Sequence, residues 1–195
     1  MVKVGFIAEG GAEKIILESK KFRDFLNENR IEVVGIFDAE GEGNFKVESK
    51  KVKSFVKILN DRKADYIIFW MDKENDPCVT FTLESIYKFD PDKQINLISV
   101  KTLESWFLAD EPTLSDIFQQ RVKIKNPENP AIEPFEEIKK LFIQNTGRGI
   151  SKSRNRLTHK MVRSGFSVMG AAKHSKCMSA EYFINKLKNL SKENK

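Results

Sequence analysis

Residues 66–74 read Tyr-Ile-Ile-Phe-Trp-Met-Asp-Lys-Glu: six apolar residues in a row, then a charged turn. A membrane span needs about 18 apolar residues, so this run, the longest in the chain, does not read as one. It is apolar at every position rather than at every second one, which is the mark of a strand buried on both faces. Three further runs of the same kind accompany it, Lys3–Ala8, Glu32–Phe37 and Ile95–Val100, at intervals of roughly 30 residues. Helical stripes fill the gaps. Ile15, Ile16, Phe22, Phe25 and Leu26 form one, and Val52, Phe55, Val56 and Leu59 form a second. The segment Cys78–Phe89 follows Pro77, which suits a first helical turn, and predicts a third, although Val79, Phe81 and Thr82 are weak helix formers. Strand–helix alternation of this kind predicts an α/β fold, a parallel sheet of about four strands flanked by helices.

Beyond Val100 the alternation stops. Thr102 is placed to cap a helix over Leu103–Ala109, and a connection rich in proline (Pro112, Pro127, Pro130, Pro134) follows. Helices are predicted over Phe135–Ile143, over Leu157–Arg163 after a Gly/Ser/basic loop at Thr146–Ser153, and from a Ser179 cap to about Leu190, with a frayed tail at Ser191–Lys195. The expected organisation is an α/β core over 1–120 and a helical, basic C-terminal extension over 121–195 packed on it.

Charge divides the chain at the same place. Residues 1–120 carry 17 basic and 22 acidic side chains, a net of −5, whereas 121–195 carry 17 and 6, a net of +11. Between 148 and 176 there is no Asp or Glu, while Arg148, Lys152, Arg154, Arg156, Lys160 and Arg163 crowd together, with His159 and His174 nearby. Such a block attracts polyanions by counterion release, and nucleic acid is the expected partner. Cys78 and Cys177 amount to neither a disulfide framework nor a zinc site, and both read as reduced, packed thiols. With no signal-peptide core in Met1–Gly11 and no membrane span, the expected setting is cytoplasmic.

In an open parallel sheet, ligands bind beyond the carboxyl ends of the strands. Acids stand at those ends: Glu9 after the first run, Asp38 after the second, Asp72 after the third and Glu104 shortly after the fourth. Carboxylates gathered at one edge repel unless protonated or bridged by a cation, and a hard divalent ion takes one or two of them and keeps water for a phosphate. Gly10 and Gly11 permit a tight turn and close backbone approach beside Glu9. Asp38, beside Gly41 and Gly43, reads as a turn residue. Gly-x-Ser-x-Gly, P-loop and Gly-x-Gly-x-x-Gly patterns are absent, so serine hydrolase, ATPase and dinucleotide readings have no motif.

The Glu9-Gly10 turn with Glu13 three residues on resembles the first motif of the TOPRIM (topoisomerase–primase) superfamily, and Asp72-Lys73-Glu74 resembles its Asp-x-Asp motif with Glu in the second place. Glu104-Ser105-Trp106-Phe107-Leu108-Ala109-Asp110 resembles the Glu-x-Trp-(Leu/Phe)-Leu-Ala-Asp mark of a bacterial TOPRIM-like family of unknown function, and is the most specific piece of a likeness that covers most of the chain. The resemblance implies a Rossmann-like (TOPRIM-like) sheet and Mg²⁺- (or Mn²⁺-) dependent handling of nucleic acid phosphodiesters. It implies Glu9, Asp72 and Glu74 as metal ligands with Asp76 as a substitute, and Glu104 beside them in the catalytic group. No tyrosine is placed as in topoisomerases, so strand passage through a covalent tyrosine link has no support.

Two readings of different classes follow. One is a metal-dependent nuclease, its acids holding the ion and Arg148, Lys152, Arg154, Arg156, Lys160 and Arg163 holding the backbone. The other is a non-catalytic subunit of a bacterial defence or mobile-element system, binding nucleic acid or a protein partner encoded in the same operon. Trp106 is expected to anchor the core, with base stacking as its alternative.

Overall fold

The computed structural model describes residues 1–45 and 49–193. Four strands, β1 (Val2–Ala8), β2 (Ile31–Asp38), β3 (Tyr66–Asp72) and β4 (Gln94–Ser99), form one all-parallel sheet in the order β2-β1-β3-β4. The apolar runs predicted these strands to within a residue or two. Among the described residues ten α-helices connect and extend them: α1 (Gly11–Leu17), α2 (Lys20–Glu28), α3 (Lys50–Asp61), α4 (Val79–Ser85), α5 (Glu104–Ala109), α6 (Glu111–Phe118), α7 (Pro134–Thr146), α8 (Arg154–Arg163), α9 (Val168–Ala171) and α10 (Met178–Glu193).

Side chains alternate across the sheet and bury both ways. Val4, Phe6, Ala8, Ile68, Trp70 and Leu97 face the larger core with α1, α2, α5 and α6–α10, while Ile7, Ile67, Phe69, Met71 and Ile98 face a smaller core with α3 and α4. This is a Rossmann-like arrangement. The crossover from β1 runs to one side of the sheet and those from β2 and β3 run to the other, so right-handed connections put their helices on opposite faces. The order of the strands therefore reverses between β1 and β3, and their carboxyl ends flank a crevice.

The larger core is pinned by aromatic rings. Trp106 is fully buried, stacks on Trp70 with centroids 5.0 Å apart, and meets Phe183 edge-on at 5.2 Å. It is a core anchor and not a stacking platform. Ser179 does not cap the last helix from outside, as its place in the sequence suggests. It lies inside α10, where its Oγ accepts the Trp106 indole N–H (2.8 Å) and the Val100 amide (3.2 Å) and donates to Glu128. Glu128 does the capping, accepting the amides of Met178 (3.1 Å) and Ser179 (2.8 Å).

Other differences have local causes. The first stripe is two helices, because Ser19 turns extended (φ −66°, ψ 148°). α4 begins after Pro77 and ends at Ser85, because Ile86 turns extended (ψ 139°) to bury itself in the smaller core. Thr102 makes no cap; its hydroxyl is buried without a partner and Leu103 holds the cap position. The proline-rich connection contains α6, with Pro112 in its first turn, where a missing N–H costs nothing. Cys177 is buried, but Cys78 is exposed rather than packed. The helix predicted to end near Leu190 continues to Glu193, so of the tail expected to fray, only Asn194 and Lys195 lie outside the described residues. No helix among the described residues is long and apolar enough to cross a membrane.

β1 and β2 meet α3 through one glycine each. Gly5 pairs with Gly35 just after a bulge that leaves Val34 unmatched, and Arg62 takes up the Val34 carbonyl at 2.8 Å. Leu59 of α3, fully buried, fills the space both glycines leave. A Cβ on Gly5 would stand 2.5 Å from Leu59 Cδ2. Gly5→Ala should therefore lower the unfolding free energy by about 1–3 kcal/mol, and adding Leu59→Ala should cost less than the sum of the two single changes. Urea unfolding of the three variants measures this; strict additivity would refute the contact.

Candidate functional site

The crevice between β1 and β3 is built from backbone outward. Glu9 donates its amide to the Trp70 carbonyl (2.9 Å) and accepts the Gly41 amide (2.8 Å), so the first residue past β1 is held on both sides. Its Oε2 accepts the amide of Asp72 at 2.9 Å, which ties the ends of β1 and β3 together. Gly10 is extended (φ −148°) and opens α1, and Glu13 folds back so that its Oε2 accepts the Gly10 amide at 3.1 Å. Gly11 gives room to α8, since a Cβ there would stand 2.7 Å from Asn155 Nδ2.

The next loops are stitched to each other. Lys73 donates its amide to the Ser99 carbonyl (2.9 Å) and Glu74 donates to Lys101 (2.7 Å), which carries the chain from β4 into α5 and sets Glu104 as its first residue. Asp72 and Glu104 are almost wholly buried, 4% and 1% exposed, as is Glu13 at 6%. Glu9 and Glu74 are half-buried. Asp76 sits further along the loop, its amide and its carbonyl both bonded to Lys73.

Electrostatics binds these acids into one group. Burial raises the Glu9 carboxyl to a pKa of about 7, against the Asp72 amide, which lowers it, and with the charges of Glu74 and Glu42 adding to the rise. Burial raises Glu13 to about 8, helped by Glu9 and Glu104. Asp72 is raised well above the ordinary aspartate value by burial and then by Glu13, Glu104 and Glu9. Two oxygens in the group, Asp72 Oδ1 and Glu104 Oε2, are buried without a hydrogen-bond partner. Buried polar atoms are nearly always satisfied, so these two ask for a proton or a cation.

The sequence places Arg154 with the phosphate-binding residues; in the structure its side chain is half-exposed and its guanidinium lies against the acids. Its Nη1 lies 3.6 Å from Asp72 Oδ2 and 3.6 Å from Glu104 Oε2. Burial opposes its charge, and Glu104, Asp72, Glu74 and Glu13 outweigh that and raise its pKa. Arg148, Lys152, Arg156, Lys160 and Arg163 remain exposed. Arg156, Lys160 and Arg163 share one face of α8 beside a shallow groove of about 620 Å³. Among the described residues, no three His, Cys, Asp or Glu side chains are gathered as they stand to hold a metal ion.

Of the residues the sequence singled out, Glu9, Asp72, Glu104 and, at the rim, Glu74 come together, while the bonds of Asp76 run to Lys73. Sequence reasoning named Glu13 within the first motif but gave it no role at the site, although its place in the third helical position, where a carboxylate caps the first turn, was a usable signal. No local signal marks Arg154 apart from its neighbours.

No protein-family model matches the chain, and no curated protein matches it. Among solved structures it is similar to the C-terminal region of the Burkholderia pseudomallei OLD protein. That likeness spans 96% of this chain and 99% of the other, at 12% identity and a TM-score of 0.43. A likeness at that level says nothing of activity, so the chemistry must come from the side chains themselves.

The raised acids have a consequence for stability. A carboxyl whose folded pKa exceeds its unfolded value binds more protons folded than unfolded, so it weakens the fold as pH rises through the interval between the two. For Glu9 and Glu13 that interval runs from the ordinary glutamate value of 4.5 to about 7 and about 8. In the presence of a chelator, the melting temperature should fall between pH 5 and pH 8, and Glu13→Gln should flatten the fall. A melting temperature that rises over this range would show that the acids are not crowded as described.

Proposed function

We propose that this chain is a phosphodiesterase that cuts nucleic acid with the help of a divalent ion, Mg²⁺ or Mn²⁺. One observation carries the reading: Glu9, Glu13, Asp72 and Glu104 meet at the crevice between β1 and β3, with Asp72 Oδ1 and Glu104 Oε2 buried and without a hydrogen-bond partner. The donor set is all oxygen, which suits a hard cation. Asp72 and Glu9 would hold the ion, with Glu104 beside them and Glu74 at the rim, in keeping with the resemblance of Glu9-Gly10 and Asp72-Lys73-Glu74 to TOPRIM motifs. When bound, such an ion lowers the pKa of water and stabilises a leaving oxygen.

The chain's own residues do the rest. Arg156, Lys160 and Arg163 bind the phosphate backbone along α8 without reading bases. The β1 and β3 ends, joined by the Glu9–Asp72 bond, hold the two acids together at the crevice. Glu13, held near a pKa of 8, carries a proton at neutral pH and spares the group one negative charge.

One observation favours the non-catalytic reading: Arg154 already offsets the charge of Asp72 and Glu104. A single assay separates the two. Labelled single- and double-stranded oligonucleotides should shorten with Mg²⁺ or Mn²⁺ and stay intact in chelator. Asp72→Asn, which keeps the size and removes the charge, should slow cleavage on the order of 100-fold or more. Tight binding with no cleavage under either ion would leave a binding subunit, and full activity in Asp72→Asn would remove the metal mechanism.

A further inference from the structure

We propose that Arg154 is an internal counter-ion that a nucleic acid phosphate draws out of the carboxylate group, so that polyanion and divalent ion bind this chain cooperatively. The inference rests on the reading of the acids as a cation site. It adds that the site is gated by a residue of the substrate-binding helix.

The geometry of the ion pair is the first ground. A committed arginine–carboxylate pair is bidentate, with N···O distances of about 2.7–2.9 Å. Arg154 stands 3.6 Å from both Asp72 Oδ2 and Glu104 Oε2, and Glu104 Oε2 makes no hydrogen bond. The guanidinium neutralises the acids without satisfying them. The second ground is an asymmetry of exposure. The Arg154 side chain is 47% exposed, whereas those of Asp72 and Glu104 are 4% and 1% exposed. The arginine has a path to solvent and the acids have none.

The third ground is its place in the helix. Arg154 is the first residue of α8, whose first turn holds no acid. The positive end of the helix dipole disfavours a cation there. Ser153 already caps the helix by accepting the Arg156 amide, so Arg154 serves no need of α8 itself. Arg156, Lys160 and Arg163 follow on the same helix, exposed. They lie on the face of α8 opposite Arg154, which stands on the side of the buried Leu157, Thr158 and Met161, so the phosphate that meets Arg154 is one that reaches the mouth of the crevice, where phosphate competes well with carboxylate for a guanidinium fork.

Withdrawal of Arg154 would leave Asp72 and Glu104 buried without a positive partner, and a divalent ion is then bound more tightly. By linkage the ion favours polyanion binding by the same factor. The deciding experiment follows Mn²⁺ binding to the full chain by paramagnetic resonance, with and without a phosphorothioate oligonucleotide, after subtracting the ions that the free oligonucleotide takes up. Without oligonucleotide, Arg154→Gln should bind Mn²⁺ on the order of tenfold more tightly than the native chain. The oligonucleotide should raise the Mn²⁺ affinity of the native chain and leave that of Arg154→Gln nearly unchanged. If Arg154→Gln binds Mn²⁺ no more tightly, or the oligonucleotide helps both proteins equally, Arg154 is not the gate, although the cation site stands. If neither protein binds Mn²⁺ under either condition, the cation site falls and the gate falls with it.

Discussion

The bond from the Asp72 amide to Glu9 Oε2 joins the two strand ends that face each other where the order of the sheet reverses. It brings two acids together by backbone geometry, whatever their charges prefer. Everything else at the site responds to that constraint. Burial, and after it their mutual repulsion, lifts the pKa values of Glu9, Glu13 and Asp72, and the group as a whole calls for a positive partner. Arg154 supplies part of that charge from another segment of the chain. The rest is left to protons, as in Glu13, and shows in the two carboxylate oxygens that make no hydrogen bond.

A second constraint holds the far wall. Glu104 can stand beside Asp72 only if α5 is fixed behind β4, and α5 is fixed by Trp106. The indole is clamped between Trp70 of β3 and Phe183 of α10 and bonded to Ser179, which Glu128 anchors in turn. The C-terminal helices therefore build the site even where they contribute no acid. Loss of this clamp should reach the acids through α5, as cores are close-packed and transmit strain.

Much of this was legible in the sequence, for physical reasons. A strand buried on both faces is apolar throughout, so Tyr66–Met71 announced the centre of the sheet, and the partly buried edge strand β2 was found from its β-branched and aromatic run. Ligand-facing residues of such a sheet follow the strands directly, so Glu9, Asp72 and Glu104 could be found by position. What escaped depends on contacts distant in sequence. Arg154 looks like any other member of a basic run until α8 is packed on α1 through Gly11 and Asn155. Ser179 has the composition of a cap, but tertiary hydrogen bonds to Trp106, Val100 and Glu128 claimed it instead. α6 hid behind prolines that are acceptable in a first turn and read as breakers in a linear scan.

The central claim is that the acids beside β1 and β3 form a cation site that Arg154 holds in reserve. A crystal grown with Mn²⁺ and a short phosphorothioate oligonucleotide, examined by anomalous scattering, tests it most directly. An anomalous peak is expected roughly 2.1 Å from carboxylate oxygens of Asp72 and Glu9 or Glu104, with the Arg154 guanidinium moved onto a phosphate. Arg154 still paired with Asp72 and Glu104, with no peak at the crevice and the oligonucleotide bound along α8, would contradict it.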